Sequence, residues 1–382
     1  MVIVHIDFTG TYNEEMNYQE NLLPRMNVQQ GHTVYFVTTC YRWNNGVEEK
    51  VLPGRFRLED GVRLIRIPYR HFGCEFIDKK LRAVRGIEEL LVELSPDVVM
   101  VHCVQTLACY PIMRYLKKNQ NVKLYVDTHT DFNNSATGFL SQHILHRFLY
   151  KPIAKKMQSF VSTFLCCTYE CMEFMKKMYG IEESKLELFP LGGLIMEDEA
   201  YSVRRHKIRE QYHIGEEDIL LVHSGKMDKM KKTVELVRAF QTSFNKGNVR
   251  LFLIGSMDEY VRSNVQPVLD KEESIQYLGW KTGEELEDYL CACDLYCQPG
   301  SQSVTMQNAA CLRCALLLSP HVSHTYLLGE DAAFWVETED DMHEVFENML
   351  RTRKMLEDKR LKSYEVAKEK LDYAKLATKL YD

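Results

Sequence analysis

Two lysines five residues apart follow an apolar run of strand length, and cations preset in that way can hold an anion. Lys226 closes Ser224-Gly225-Lys226 and Lys231 follows, with Lys229 and Lys232 beside it. A phosphate leaving group gathers negative charge as its bond breaks, and preset cations stabilise that state more than the ground state. The same lysines could form the solvated start of a helix. Downstream, Asp294-Leu295-Tyr296 runs through Cys297-Gln298-Pro299 into Gly300, Ser301, Gln302, Ser303 and Val304, which reads as strand, tight turn and helix start. Backbone N–H groups unpaired at such a start, with the helix dipole behind them, can take a phosphate. The stretch also fits an ordinary connection capped by Ser301 or Ser303.

A third cluster is Asp127-Thr128-His129-Thr130-Asp131, at the end of an apolar run. His129 there could serve chemistry or cap a surface turn, and the Asp-x-His-x-Asp spacing invites a metal reading. After the first apolar run, Phe8-Thr9-Gly10-Thr11 supplies one glycine, enough for a tight turn or a close approach to an acceptor or phosphate. Cys311 and Cys314 form a CxxC without a second pair at zinc-finger spacing, and the 12 cysteines are scattered through apolar runs, as reduced core thiols are. A P-loop is excluded, because Leu220 stands where its first glycine belongs; GxGxxG follows none of the expected strands, which argues against a nicotinamide dehydrogenase.

These residues need a scaffold. At 382 residues, 45% hydrophobic and 27% charged, the chain is an ordinary globular protein long enough for two domains. Strand-length apolar runs recur at Val2-Phe8, Val34-Thr38, Val98-His102, Leu124-Asp127 and Phe164-Thr168, separated by stretches of helical period such as Lys79 to Leu94 and Thr106 to Lys117. The alternation restarts at Ile219-Ser224, Val249-Gly255, Ile275-Leu278, Leu295-Gln298 and Ala315-Leu318. Such alternation predicts an α/β protein of two doubly wound parallel sheets covered by helices. The Leu188-Phe189-Pro190-Leu191-Gly192-Gly193 hinge sets the expected domains at 1–195 and 196–362, with a helical segment at about 363–382 beyond them. In open α/β sheets ligands sit at the carboxyl ends of strands, so two facing domains would enclose one in the cleft between them.

The net charge of −6 is uneven: residues 1–195 carry 23 basic against 21 acidic side chains, the remainder 25 against 33. That balance excludes nucleic acid as a partner of the whole surface. From Phe132 to Tyr169 there is no acidic residue, while Arg147, Lys151, Lys155 and Lys156 recur beside apolar positions, a pattern suited to a buried helix pair with a solvated basic face or to a peripheral patch on anionic lipid. Pro152 is expected to divide that stretch into two helices. No apolar run is long enough to span a membrane and the first residues lack a leader pattern, so a cytoplasmic location is expected, peripheral on the inner face of the membrane if the basic patch binds lipid.

The order of these signals resembles the GT-B-fold glycosyltransferases of family four, also called group one, which include many bacterial capsule and O-antigen enzymes. Tyr18-Gln19-Glu20-Asn21-Leu22-Leu23-Pro24 with Gly31-His32-Thr33-Val34 is similar to the family's first helix and GHxV strand, and Ser95-Pro96-Asp97-Val98-Val99 to its PDvv strand. Phe189-Pro190-Leu191-Gly192 resembles the crossover, Ser224-Gly225-Lys226 with Lys231 the donor motif, Leu278-Gly279-Trp280 the flGwv turn, and Asp294-Leu295 the aDl strand.

The resemblance implies a retaining hexosyltransferase with two facing Rossmann-like domains. It would move sugar from a nucleotide-sugar donor to a saccharide or lipid-linked saccharide acceptor, in polysaccharide assembly, with no cofactor and no bound metal. It casts Lys226 and Lys231 on the diphosphate, with Lys232 as the fallback, and His129 beside the sugar. Gly225, Trp280, Gly300, Ser301, Gln302, Ser303, Val304 and Gln307 fall on the donor side, Gly10, Thr11 and Asp131 on the acceptor side. In the family the last helix returns to the N-terminal domain. The chain departs from the family's Glu-x7-Glu, having Pro299 and Gln307 in those places. Gln307 can still bond ribose hydroxyls, but proline cannot replace a carboxylate. The loss leaves open a catalytically weak protein acting as the scaffold partner of another transferase.

Overall fold

The structure, a computed structural model, describes every residue except 15, 17, 45–46, 245–247 and 382. The chain forms two compact units, one of Met1–Pro190 with Ala374–Asp382 and one of Leu191–Tyr373.

The first unit carries strands β1 (Val2–Asp7), β2 (Thr33–Thr38), β3 (Tyr41–Asn44), β4 (Val47–Lys50), β5 (Gly54–Arg57), β6 (Arg63–Arg66), β7 (Val98–His102), β8 (Lys123–Thr128), β9 (Thr163–Cys166) and β10 (Leu186–Leu188). Eight make one sheet in the order β10-β9-β8-β7-β1-β2-β6-β5, while β3 and β4 pair apart as an antiparallel hairpin. The sheet is parallel except at β5. Its central strands, VIVHID and VVMVH, are buried at nearly every position, as strands covered by helices on both faces are.

The second unit carries β11 (Ile219–Met227), β12 (Val249–Met257), β13 (Ile275–Gly279), β14 (Leu295–Gln298), β15 (Ala315–Leu318) and β16 (Phe334–Trp335), all parallel, in the order β13-β12-β11-β14-β15-β16. Leu221, Leu251, Leu253, Val237, Phe240, Leu317 and Phe346 fill one side of this sheet. In both units the first parallel strand lies between the second and the fourth, the Rossmann order. The strand order reverses at β1/β7 and at β11/β14, the points where open α/β sheets take ligands, outside the carboxyl ends of the strands.

Several local expectations are corrected. The stretch 79–94 is not one helix. It ends at Leu81, because Arg82 turns left-handed at φ 50°, and resumes at Ile87 after Gly86 at φ 76°. Two helices do meet beside Pro152, but without a break in the chain's coiling: Ser141–Tyr150 coils wide, with hydrogen bonds five residues apart, and continues into the α-helix Lys151–Met157. Proline sits in that helix's first turn, where a missing N–H costs least. The units divide at Pro190/Leu191, and the return to the first unit starts at Ala374, since Arg353–Val366 stays in the second. In the returning segment Ala377 and Leu380 are buried against Ile3, Leu23, Val98 and Phe189.

Candidate active site

At the reversal point of the second unit, the loop after β11 meets the loop after β14. Asp228 accepts hydrogen bonds from the backbone N–H groups of Met230 and Lys231 through Oδ1, winding Lys229–Lys231 into a single 3-10 turn. That turn lies flat against Gly300. A Cβ there would stand 2.1 Å from the Met230 carbonyl oxygen, so only glycine admits the approach, which Ser301 N–H seals by donating to Met230 O at 2.8 Å.

The turn aims Lys231 inward. Its Nζ donates to the carbonyls of Ser301 and Gln302, 3.2 Å each, and its Cε would lie 3.9 Å from a Cβ on Gly225. Burial lowers the Lys231 pKa, with Asp228 opposing. An ammonium has three donors, and two are spent on the loop. Lys226, the next residue after Gly225, is exposed and has no ion-pair partner among the described residues. Lys232 points elsewhere, to Glu337 O at 2.7 Å, so the fallback is not at this loop. Beneath them His223 is buried between Cys297 O and Thr233 Oγ1, and desolvation holds its pKa down to about 4, keeping a second buried charge away from Lys231.

The rest of the β14 loop is fixed by side chains as much as by backbone. Gln298 Nε2 donates to Ser301 O at 3.1 Å, and His321 Nε2 lies 3.0 Å from Gly300 O. The following helix spans Thr305–Cys311, preceded by Val304 without a side-chain cap, so neither Ser301 nor Ser303 is its N-cap; Ser303 Oγ instead pairs with Thr305 Oγ1. Gln307 is buried and its Oε1 accepts from Gly192 N–H at 2.7 Å, which ties the crossover hinge to this helix and leaves Nε2 as the amide group open to a ligand. Pro299 is buried between Gln298 and Gly300 and itself brings no carboxylate. Trp280 follows the edge strand β13, two strands from β11, with 73% of its surface exposed. Cys311 and Cys314 are separate buried thiols.

At the reversal point of the first unit, Asp7 ends β1 and gathers the next turn: Thr9 and Gly10 donate backbone N–H groups to its Oδ1, at 2.8 and 3.0 Å. A Cβ on Gly10 would press on Asp7 Oδ2 at 2.9 Å. Thr11 donates to Glu48 Oε1, and buried Arg66 clasps the carbonyls of Tyr12, Thr39 and Tyr41. Behind this turn runs a buried polar row: Asn27 Oδ1 is 3.0 Å from His5 Nε2, His5 Nδ1 is 3.2 Å from His102 Nε2, and His102 Nδ1 is 2.6 Å from Asp127 Oδ2. His129 Nε2 stands 3.8 Å from the same Asp127 oxygen, in ion-pair contact but beyond a hydrogen bond. Burial is the largest single influence on His129 and lowers its pKa, but Asp127 and then Glu20 together outweigh it and push the pKa up to about 9. Asp131 caps its own turn, accepting from the N–H groups of Asn133 and Asn134. Among the described residues no group of three His, Cys, Asp or Glu side chains could hold a metal ion.

His5, Asp7, Asn27 and His102 escaped sequence reasoning. The signal was there: histidines inside otherwise apolar strands must find buried partners. On the basic face, Arg147, Lys155 and Lys156 are exposed and Lys151 half-buried, while Ile144 and Phe148, with Phe139 and Leu140, project outward beside them.

Residues 23–192 match the family model described as Glycosyltransferase Family 4, and residues 204–367 the model described as Glycosyl transferases group 1. No curated protein matches the chain. Among solved structures, the Anabaena protein HepE in complex with UDP is similar at a TM-score of 0.66 and 10% identity, over 99% of this chain and 98% of that one. WaaG, a glycosyltransferase involved in lipopolysaccharide biosynthesis, is similar at 0.62 and 14%, over 99% of each chain. Sucrose-phosphate synthase from Thermosynechococcus elongatus is similar at 0.63 and 13%, over 99% and 96%. At these identities the likeness is one of fold.

Proposed function

The chain belongs to the family-four, group-one glycosyltransferases and has their GT-B fold, and from that premise we propose that it moves a hexose, with retention, from a nucleotide-sugar donor to a carbohydrate or lipid-linked carbohydrate acceptor in bacterial surface polysaccharide assembly. The observation that carries the reading is Lys231, held beside Gly225 at the reversal point by two carbonyls, with the next residue after Gly225, Lys226, exposed and free of ion pairs among the described residues. The UDP complex of HepE and the role of WaaG in lipopolysaccharide synthesis support the donor class and the setting.

In the proposed reaction the acceptor hydroxyl attacks the anomeric carbon from the leaving-group side, the bond to the diphosphate breaks, and the departing phosphate oxygen takes the hydroxyl proton. The two lysines supply the positive charge a divalent ion would otherwise supply. Loss of the carboxylates at Pro299 and Gln307 shifts sugar and ribose contacts to Ser301, Gln302 and the Gln307 amide.

Calorimetry of the wild type against uridine and guanosine diphosphates tests the donor site. Saturable binding of either is expected; silence with every nucleotide would favour the scaffold reading. A location on the membrane's inner face is part of the proposal, because Phe139, Leu140, Ile144 and Phe148 are exposed beside Arg147, Lys151 and Lys155. Binding to vesicles containing anionic lipid, weakened by salt, is expected; equal binding to neutral vesicles, or none to anionic ones, would remove it.

A further inference from the structure

The buried row in the first unit has a fixed polarity. Asn27 Nδ2 donates to the Ala377 carbonyl in the returning C-terminal segment, 3.3 Å away. A carbonyl cannot donate, so the amide cannot be flipped, and its Oδ1 must face His5. Oδ1 only accepts, so His5 Nε2 carries a proton. One further proton must lie between the two rings, and another between His102 and Asp127. Three protons on two imidazoles and one carboxylate make the trio electrically neutral, with one imidazolium compensating one carboxylate.

We propose that the Ala377 carbonyl, acting through Asn27 and His5, makes His102 a permanent buried imidazolium, and that this fixed charge, sharing Asp127 with His129, sets the protonation of the histidine at the strand end. His5, His102 and Asn27 are positioning residues in this scheme. His129 is the group they act on.

The charge belongs on His102. That ring touches Asp127 at 2.6 Å, whereas His5 is wholly buried and bordered by Asn27. The energetics agree. Desolvation and then the neighbouring His102 hold His5 down to about 3, whereas on His102 the carboxylate of Asp127 outweighs the cost of burial and raises the pKa. The groups facing His102 and His129 are Asp7 and His5 from β1, Glu20 from the helix Gln19–Gln29, Asp127 from β8 and Cys171 from the helix Tyr169–Phe174. Asp127 Oδ1 is buried with no partner among the described residues, so the two imidazoles carry most of the compensation of this carboxylate. His102 is thus a cation competing with His129 for one carboxylate oxygen. Removing its charge must make His129 harder to deprotonate. The row links the position of the returning segment to the charge at the end of β8.

The test is nuclear magnetic resonance of the full-length chain labelled with ¹⁵N in histidine, which reads the protonation of each ring nitrogen. In the wild type at neutral pH, His102 is expected protonated on both nitrogens and His5 on Nε2 alone; a single ring proton on His102 overturns the proposal. Asn27→Leu, with the same branching and number of side-chain heavy atoms but without either hydrogen bond, is expected to free His102 Nε2 of its proton and to move the His129 titration upward by about one pH unit, the effect of losing a nearby like charge. His102→Gln removes the cation outright and should move His129 in the same direction, which keeps the test intact if Asn27→Leu folds poorly. Lower stability with an unmoved His129 titration in both variants would reduce the row to a packing feature and overturn the proposal. The readout needs no turnover, so it stands apart from the transferase reading. Its consequence for turnover rests on that reading: if His129 acts protonated, both variants extend activity to higher pH.

Discussion

At the scale of the residue, the two lysines differ in what they can lose. Lys231 is buried and spends two donors on carbonyls, so Lys231→Ala removes a cation and also leaves the Ser301 and Gln302 carbonyls without that donor. Lys226 is exposed and holds nothing else in place. Removal of one preset charge-stabilising donor costs about 2.7–4 kcal/mol of barrier, roughly 10²–10³ in turnover. Both alanine variants are expected to lose turnover on that scale in a steady-state transfer assay, while nucleoside monophosphate binding persists better in Lys226→Ala than in Lys231→Ala, whose loop is freed. Unchanged turnover in both would take the lysines out of the chemistry. The pair was legible through the likeness of Ser224-Gly225-Lys226 with Lys231 to the family's donor motif, the residues alone fitting a solvated helix start equally. What could not be read was which of Lys231 and Lys232 turns inward, since this depends on the Asp228 side chain winding the turn and on Lys232 adopting φ 54°. Nor could Gln307 be seen to hold Gly192, a bond across more than a hundred residues of chain.

At the scale of the element, Asp294 shows how a helix is fastened to the central strands of the second sheet. It is buried at the start of β14, with Oδ1 on Arg205 at 2.8 Å and Oδ2 shared by Arg209 at 3.1 Å and the Leu220 N–H at 2.9 Å. One carboxylate thus pins the helix Asp198–Gln211 to β11 and β14. Breaking a buried pair by removing one partner leaves the other charge uncompensated and costs about 3–5 kcal/mol. Asp294→Ala is therefore expected to lower unfolding free energy by about that amount in urea titration; a loss within error of zero would show that water reaches the arginines. Burial alone would raise the Asp294 pKa, but Arg205 and then the Leu220 N–H and Arg209 overcome it, so the folded value lies below the unfolded one. Its stabilisation is present above the unfolded carboxylate range and fades as pH falls through the folded value. The long apolar strands were legible because burial on both faces leaves an uninterrupted run. The hairpin β3/β4 and the edge strands β5 and β16 were not, being short and partly exposed, with burial too low to impose a pattern. Two halves of 79–94 looked continuous because Val84 keeps the helical spacing while its backbone pairs with Tyr69.

At the scale of the molecule, the first unit is completed by residues far from it in sequence. Leu380 is fully buried among Ile3, Leu23, Val98 and Phe189, Lys379 pairs with Glu187 at 2.7 Å, and Gln30 Nε2 donates to Ala374 O at 2.7 Å. Most of the energy lies in the apolar contacts, since an exposed ion pair contributes about 0–1 kcal/mol whereas emptying a buried leucine site costs about 2–5 kcal/mol. Leu380→Ala should therefore destabilise the first unit by about 2–5 kcal/mol, and Lys379→Ala should scarcely matter. Hydrogen exchange can assign the effect to a unit: faster exchange is expected at the amides of β1 and β7, which flank the buried leucine, with β11 and β12 protected as in the wild type. Equal acceleration in both sheets would mean that the units unfold as one, and no acceleration in β1 would mean that the returning segment adds nothing to the core it covers. The helix Gln19–Gln29 packs on the same core through Leu23, but its buried face also includes Gln19, Asn21 and Asn27. A face that polar leaves apolar strand surface uncovered, and Ala377 and Leu380 supply the missing cover.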